Sequence, residues 1–178
     1  MSRLLNATSD QKILKFLIDD PGHQYLAAEI QRATGVSKGG VNLSLRELAR
    51  RELAHRQKRG KIYLYSADHT NPICKQLKVI NALEFIMPLI RQVSGKAVKI
   101  VLFGSAARGE DTQQSDIDLL IIAHHSKAEI EKAAGKLKLP KKLQLIIRDP
   151  VSFAEMEKKD PIFFEEVSRG LIVWERKE

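Results

Sequence analysis

Apolar residues near the start of the chain repeat at the spacing of an amphipathic helix. Ile13 to Leu17 follow an i, i+3, i+4 pattern, with a polar stretch on either side. Ser9 and Asp10 stand just before this stripe, and both are residue types that cap helix N-termini. The pattern therefore predicts a first helix that begins at Ser9 or Asp10 and runs to about Asp19.

Two further helices are predicted on either side of a tight turn. They cover about 27–33 and 38–51, and Gly35 supplies a left-handed residue between them. Ser37 can cap the later helix, whose inward stripe starts at Val41 and continues at i+4 and i+7. The spacing is that of two short helices meeting at an angle.

Extended segments flank and follow these helices. A short extended step is predicted over 23–26, and two strands are predicted over 53–57 and 61–66. The turn Lys58–Gly60 joins the two strands, so they form a hairpin.

A longer apolar pattern divides the chain into three parts. Breaker residues at 68–72 precede a broad apolar stripe over 73–93, which predicts a helix covered on more than one side. Pro88 is expected to kink or divide this helix. We expect a first domain over 1–68, a linker helix over 69–95 and a second domain over 96–178.

In the second domain, strands with continuous apolar sequence are predicted between helices, which indicates an α+β fold with a mixed sheet. A helix is predicted over about 127–137, a capping box at Ser152 and Glu155 begins another, and Asp160-Pro161 begins a third. The predicted strands are Val98–Phe103, Ile117–Ile122, Lys142–Arg148 and an edge strand at Leu171–Trp174.

Composition and charge narrow the class of protein. The chain has 178 residues and a net charge of +8, and residues 46–61 hold seven Lys or Arg against two Glu. A single cysteine excludes an intrachain disulfide framework and a multi-cysteine zinc site. Without a long apolar run or a signal-peptide pattern, we expect a cytoplasmic protein with no membrane partner. The basic cluster favours a polyanionic partner.

Residues 8–67 resemble the winged-helix domains of bacterial and archaeal regulators. The resemblance lies in TGVSKGGVNLSLRELARREL followed by RGKIYLYS, which match a turn, a recognition helix and a wing. It implies that the helix start enters a DNA groove and that the hairpin tip contacts phosphates, although some winged helices bind protein instead. The DNA-contacting residues would be Ser37, Lys38, Asn42 and Arg46 of the helix and Arg56, Lys58, Arg59 and Lys61 of the wing.

Residues 97–123 carry the chemistry of a triphosphate site. Asp116 and Asp118 are two apart on a strand, so their carboxylates project from one face and attract a divalent cation such as Mg²⁺ or Mn²⁺. Gly104 lets a phosphate approach the backbone, and Ser105 adds a hydroxyl. Arg108 lies one helical turn further on, where its guanidinium can reach the same ligand.

This order of residues resembles the signature of the DNA polymerase beta-like nucleotidyltransferases, in particular the minimal ones. The resemblance implies that Asp116 and Asp118 are catalytic metal ligands, and that Gly104 and Ser105 hold the triphosphate. Arg108 and Ser115 would support it. The implied reaction is the transfer of a nucleoside monophosphate to an acceptor hydroxyl.

One position departs from that family. Active members carry a third carboxylate on a later strand, where this chain has Gln144, and Asp149 lies at an odd offset past the strand end. Three hypotheses follow: a Mg²⁺-dependent transferase, a DNA-binding regulator whose degenerate transferase domain senses nucleotide, and an antitoxin-like module with a toxin-like protein partner. The sequence leaves open the acceptor, the base preference and whether the chain forms a homodimer.

Overall fold

The computed structural model describes residues 8–124 and 127–176. The chain divides into two units at position 78/79, each with its own core. The first unit is built from α1 (Ser9–Asp19), β1 (Tyr25–Leu26), α2 (Ala27–Thr34), α3 (Lys38–Arg50), β2 (Ala54–Arg59) and β3 (Ile62–Ala67).

Strand pairing in the first unit gives a three-stranded antiparallel sheet in the order β1-β3-β2. The three helices pack over it, and their apolar stripes form its core. Three helices followed by a hairpin, with a short strand after the first helix completing the sheet, is the winged-helix fold. The predicted turn at Gly35 is confirmed, because this residue is left-handed at φ 68° and ends α2.

Two local predictions for this unit are wrong. The cap of α1 is Thr8, whose hydroxyl accepts a hydrogen bond from the Gln11 amide at 3.3 Å, rather than Ser9 or Asp10. The hairpin turn lies at Gly60-Lys61, so the residues at 58 and 59 belong to β2. β2 is one residue longer than predicted and β3 is shifted by one residue, because cross-strand pairing continues up to Arg59 and Ile62, on either side of the turn at Gly60, whose φ is 59°.

The second unit contains most of one long helix and a four-stranded mixed sheet. The helix, α4, runs from Pro72 to Val93 as a single element, so the predicted division at Pro88 is wrong. Its first turns belong to the first unit, where Cys74 is buried. After a 3₁₀ turn at Ser94–Lys96 follow β4 (Lys99–Phe103), α5 (Gly104–Arg108), β5 (Ile117–Ile122), α6 (Lys127–Gly135), β6 (Leu143–Arg148), α7 (Pro150–Lys159), α8 (Pro161–Ser168) and β7 (Leu171–Glu175).

The sheet order is β6-β5-β4-β7, with β5 and β6 parallel and the other pairs antiparallel. Apolar residues of α4 and α6 cover one face of the sheet. They pack against alternate residues of β5, such as Leu119, whose side chains lie on that face. Apolar residues of α7 and α8 cover the other face, against Phe103 and Leu120. The mixed sheet flanked by helices is confirmed, and β7 is the predicted edge strand.

The start of α7 differs from its prediction. Asp149 caps this helix by accepting hydrogen bonds from the amides of Val151 at 3.1 Å and Ser152 at 3.0 Å. The capping box expected at Ser152 and Glu155 is therefore wrong, because the helix already begins at Pro150, two residues earlier. Within the described part of the chain, no helix has the length and apolar character that crossing a membrane requires.

Candidate active site

The turn after β4 is built around a glycine that no other residue can replace without strain. Gly104 has φ 69°, and a Cβ placed on it would overlap the carboxylate of Asp118. Glycine is therefore required here for two reasons: the backbone is left-handed, and it packs closely against the candidate metal ligand. Ser105 follows, half-buried, and its carbonyl accepts a hydrogen bond from the Glu110 amide at 2.9 Å.

The two aspartates lie at the start of β5, on the sheet face that α7 and α8 cover. Asp118 pairs across the sheet with Phe103 and with Gln144, and Leu120, two residues on, belongs to the core on the same face. Asp116 precedes the strand by one residue, so the two-residue period places it on the same side. Both side chains are partly exposed, so solvent and small ions can reach them.

Asp118 sits among more negative than positive charge. Burial raises the pKa of its carboxyl above the ordinary value, and the charges of Glu166 and Asp116 raise it further, whereas Arg108 lowers it. The ionised form is thus disfavoured in the absence of a cation. A divalent cation at this carboxylate would remove that penalty.

Two consecutive lysines before β6 contact Asp116 and the loop that precedes it. Lys142, which is exposed, reaches the Asp116 carboxylate at 3.2 Å. Lys141 forms an ion pair with Asp111 and donates to the carbonyl of Thr112 at 2.7 Å. The first lysine neutralises a candidate ligand, and the second anchors the loop between α5 and β5.

The remaining predicted phosphate contacts are engaged with neighbouring side chains. Arg108 is exposed and donates to Glu110 at 3.0 Å, with Glu166 at 3.8 Å on its other side. The Ser115 hydroxyl accepts from the Thr112 amide at 2.8 Å, which closes the loop before the aspartates. The structure therefore brings Arg108 next to the aspartates but gives Ser115 a role within its own loop.

Strand register shows which residue of β6 lies beside Asp118. Gln144 is the parallel partner of Asp118, so the two side chains share one face. Asp149 lies beyond the far end of β6, where the Ser152 hydroxyl and the first amides of α7 donate to its oxygens and lower the pKa of its carboxyl. The residue beside the aspartates is therefore a neutral amide.

The donor set fits Mg²⁺ bound together with a triphosphate. Within residues 8–124 and 127–176, no three Asp, Glu, His or Cys side chains are placed to hold one metal ion. Mg²⁺ commonly uses one or two carboxylates and completes its shell with water and substrate phosphates. Asp116 and Asp118 supply that number, and the Asp118 carboxylate packs directly against the backbone of Gly104.

Sequence reasoning missed three charged residues of this site. Glu166 comes from α8, and only the packing of that helix on the sheet brings it near Arg108 and Asp118. Lys141 and Lys142 carry one usable signal, since they stand directly before a strand predicted beside the aspartates. Their individual partners depend on a parallel register that the pattern does not specify.

The first unit presents a separate basic surface. The residues predicted to contact DNA are all exposed, and they lie on α3 and on the β2-β3 hairpin. The Ser37 hydroxyl accepts from the Gly40 amide at 3.2 Å, which confirms it as the cap of α3. The exposed residues predicted to contact DNA are Ser37, Lys38, Asn42, Arg46, Arg56, Lys58, Arg59 and Lys61.

Two consecutive glycines at the start of α3, Gly39 and Gly40, have different surroundings. A Cβ on Gly40 would lie 2.9 Å from Val36, whereas a Cβ on Gly39 would meet nothing within 4 Å. Gly40 is thus required by packing inside the unit. Of the pair, only Gly39 lies on an open surface.

Together, the winged helix and the mixed-sheet unit with its Gly-Ser turn and paired aspartates define a winged helix fused to a nucleotidyltransferase domain. The family model described as Polymerase beta, Nucleotidyltransferase matches residues 86–178, just over half of the chain. The chain belongs to this family.

Individual relatives match only parts of the chain. A Methanocaldococcus jannaschii protein named as a candidate protein adenylyltransferase is 51% identical over 39 residues, which are 22% of this chain. The chain spans 39% of the length of that relative.

Two solved structures are similar to separate regions. A candidate nucleotidyltransferase from Sulfolobus solfataricus is 20% identical, with a TM-score of 0.40, and the match covers 57% of this chain and 87% of that one. The Zα domain of Carassius auratus PKZ, solved in complex with Z-DNA, is 24% identical, with a TM-score of 0.30. That match covers 33% of this chain and 90% of the domain.

Proposed function

We propose that the second unit binds a nucleoside triphosphate with Mg²⁺ or Mn²⁺ and transfers the nucleoside monophosphate to an acceptor hydroxyl, with release of pyrophosphate. The observation that carries this proposal is the packing of Gly104 against Asp118. The Asp118 carboxylate lies where a Cβ on Gly104 would be, so the backbone amides of this turn and a candidate metal ligand lie side by side. A triphosphate chelating a cation needs both at once.

In this proposal, one group of residues would bind the phosphates and another would bind the cation. The amides after Gly104 and the Ser105 hydroxyl hold phosphate oxygens, and Arg108 exchanges its carboxylate partners for the phosphates. Asp116 and Asp118 hold the cation, which would neutralise charge on the phosphate undergoing displacement. The exposed Lys142 could bind the nucleotide instead of Asp116, because this lysine and a bound cation would compete for the same carboxylate.

ATP and a protein hydroxyl are the preferred substrates in this proposal. The support is the relative named as a candidate protein adenylyltransferase, which shares 51% identity over its matched segment. Such a reaction would modify a protein partner, whereas the antitoxin-like hypothesis requires only that a protein partner is bound.

The test is incubation of the whole protein with α-labelled nucleoside triphosphates, Mg²⁺ and a cell extract, followed by a search for labelled protein. We expect Asp116→Asn with Asp118→Asn to abolish labelling and metal-dependent nucleotide binding measured by calorimetry. Asp149→Asn is the control outside the site, since it makes the same Asp-to-Asn change once and asparagine remains a good cap for α7. Undiminished nucleotide affinity in the double variant would remove the proposed site.

A second candidate function is nucleotide sensing without transfer. The observation that favours it is Gln144 in register beside Asp118, because an amide cannot act as a base and is a weaker ligand for a hard cation. Under this proposal the second unit binds nucleotide and the protein acts as a DNA-binding regulator. Metal-dependent binding without any labelled product would select it.

The first unit is proposed to bind double-stranded DNA in the cytoplasm and to direct the second unit to its place of action. The support is the exposure of all eight predicted contact residues and the local charge of the wing. Cations at a hairpin tip neutralise phosphates, and polar side chains at a helix start contact base edges.

A further inference from the structure

An apolar groove lies between the recognition helix and the wing of the first unit. It has a volume of about 340 Å³ and runs between the start of α2, the first turns of α3 and strand β3. Its apolar lining comes from Leu26, Ala27, Val41, Ile62 and Tyr65, with Tyr63 at its wing side. Two of the predicted DNA contacts, Lys38 and Asn42, line the same groove.

Tyr63 presents an aromatic ring at this groove. The residue is 38% exposed, and the guanidinium carbon of Arg56 lies 4.1 Å from the ring centroid. This cation–π contact covers one face of the ring and fixes its orientation. The hairpin thus holds a flat aromatic surface in place without burying it.

The surroundings of the groove are positively charged. Lys38 stands at its helix side, and the described lining contains no carboxylate. On the wing, Arg56, Lys58, Arg59 and Lys61 are exposed. An apolar slot with a cationic rim complements a polyanion that also offers a flat apolar surface.

On these grounds, and resting on the proposed DNA binding, we propose that the groove takes an unpaired nucleobase of DNA, stacked on Tyr63. In a continuous duplex, the faces of the bases are covered by their neighbours and only the edges are accessible. An exposed aromatic face is matched by a base that has left the stack, while the basic rim holds the flanking phosphates. The preferred DNA is therefore a duplex interrupted by an unpaired nucleotide.

The experiment measures the affinity of the whole protein for two labelled hairpins by fluorescence anisotropy. The hairpins are identical except that one carries a single-nucleotide bulge. We expect the bulged hairpin to bind about tenfold more tightly, within the range that base–aromatic stacking supplies. Tyr63→Leu should bring the ratio of the two affinities toward one, whereas Tyr63→Phe, which keeps the ring, should preserve it.

Each outcome has a definite meaning. Equal affinity of the parent for both hairpins, or a preference that survives in Tyr63→Leu, overturns the stacking site and leaves duplex binding intact. Failure of the parent to bind either hairpin overturns the DNA-binding proposal and this one with it. Melting curves of both variants establish that the leucine protein is folded, and the phenylalanine protein supplies a second measurement of the ring's contribution.

Discussion

At the scale of single residues, the site is governed by the charges that surround one carboxylate. Asp118 is partly buried beside Glu166 and Asp116, with Arg108 as its nearby cation. The folded protein therefore holds the Asp118 proton more tightly than the unfolded chain does. Ionised Asp118 lowers stability at pH values above its raised pKa, and this cost disappears as the pH falls through that pKa.

Asp118→Asn should accordingly melt a few degrees higher than the parent at neutral pH without metal, because the desolvated charge is removed. The difference should shrink as the pH is lowered through the pKa of Asp118. Added Mg²⁺ with nucleotide should raise the melting temperature of the parent alone, since only the parent keeps the ligand. Calorimetric melting scans across pH measure all three effects, and a variant that melts lower at neutral pH would contradict the assigned electrostatics.

A substitution at Gln144 tests whether the lack of a third carboxylate limits nucleotide transfer. Gln144→Asp places a third carboxylate beside Asp118 at an exposed position, so it should lower the melting temperature without metal and strengthen the response to Mg²⁺. A gain of about 100-fold in transfer would correspond to about 2.7 kcal/mol of barrier. Labelled-nucleotide transfer by parent and variant measures it. Efficient transfer by the parent itself would rule out the sensing proposal.

At the scale of elements, turns and strand ends position the functional groups. The β4–α5 turn brings Gly104 against Asp118, and the paired strands β5 and β6 set Gln144 beside the same aspartate. In the first unit, the hairpin carries Arg56, Lys58 and Arg59 on β2 and Lys61 in the turn. These elements set the distances within which the side chains can act.

Gly104→Ala tests the turn. A left-handed alanine with its Cβ against a carboxylate costs roughly 1–3 kcal/mol of strain, so the variant should unfold at lower denaturant concentration and lose nucleotide affinity. Gly95→Ala is the control in the same unit, because nothing lies within 4 Å of its added Cβ and its backbone is not left-handed. Equal behaviour of the two variants would mean that the turn tolerates a side chain.

The wing is tested by removing its charge. Replacing Arg56, Lys58, Arg59 and Lys61 by glutamine should weaken duplex binding and flatten its salt dependence by about 3 to 4 in the log–log slope, if each neutralises one phosphate. The control removes four exposed lysines of the second unit, at positions 127, 132, 158 and 159, for the same change in net charge. Equal losses in both proteins would indicate a nonspecific charge effect, measured by fluorescence titration.

At the scale of the whole molecule, two cores support two proposed activities. The three tyrosines, Tyr25, Tyr63 and Tyr65, all belong to the first unit, whereas the single tryptophan, Trp174, belongs to the second. Each unit thus carries its own optical probe, and ligand effects can be assigned to a unit without added labels.

Mg²⁺ with nucleotide should raise the midpoint of the unfolding transition followed by Trp174 fluorescence more than that followed by tyrosine near-UV circular dichroism. Duplex DNA should do the reverse, because each ligand stabilises the unit that binds it. Denaturant titrations with both probes measure the shifts. Coincident shifts with either ligand would show that the units unfold as one cooperative body.

Short-range patterns in the sequence determined the elements and the principal candidate residues. The stripe of α1, the turn at Gly35 and the strand bounds of β5 follow from apolar spacing and from the special backbone of glycine. The spacing of Asp116 and Asp118 places both on one face wherever the strand lies. These features depend on neighbours along the chain, so the sequence contains them directly.

Tertiary structure alone decided which distant groups share a site. The approach of Glu166 to Arg108 and of Lys142 to Asp116 joins residues separated by long stretches of chain, through helix packing and parallel register. The same dependence applies to Gly40, since the constraint on this position comes from the packed side chain of Val36. Local periodicity specifies which face a residue occupies, whereas its partners are fixed only when that face is packed.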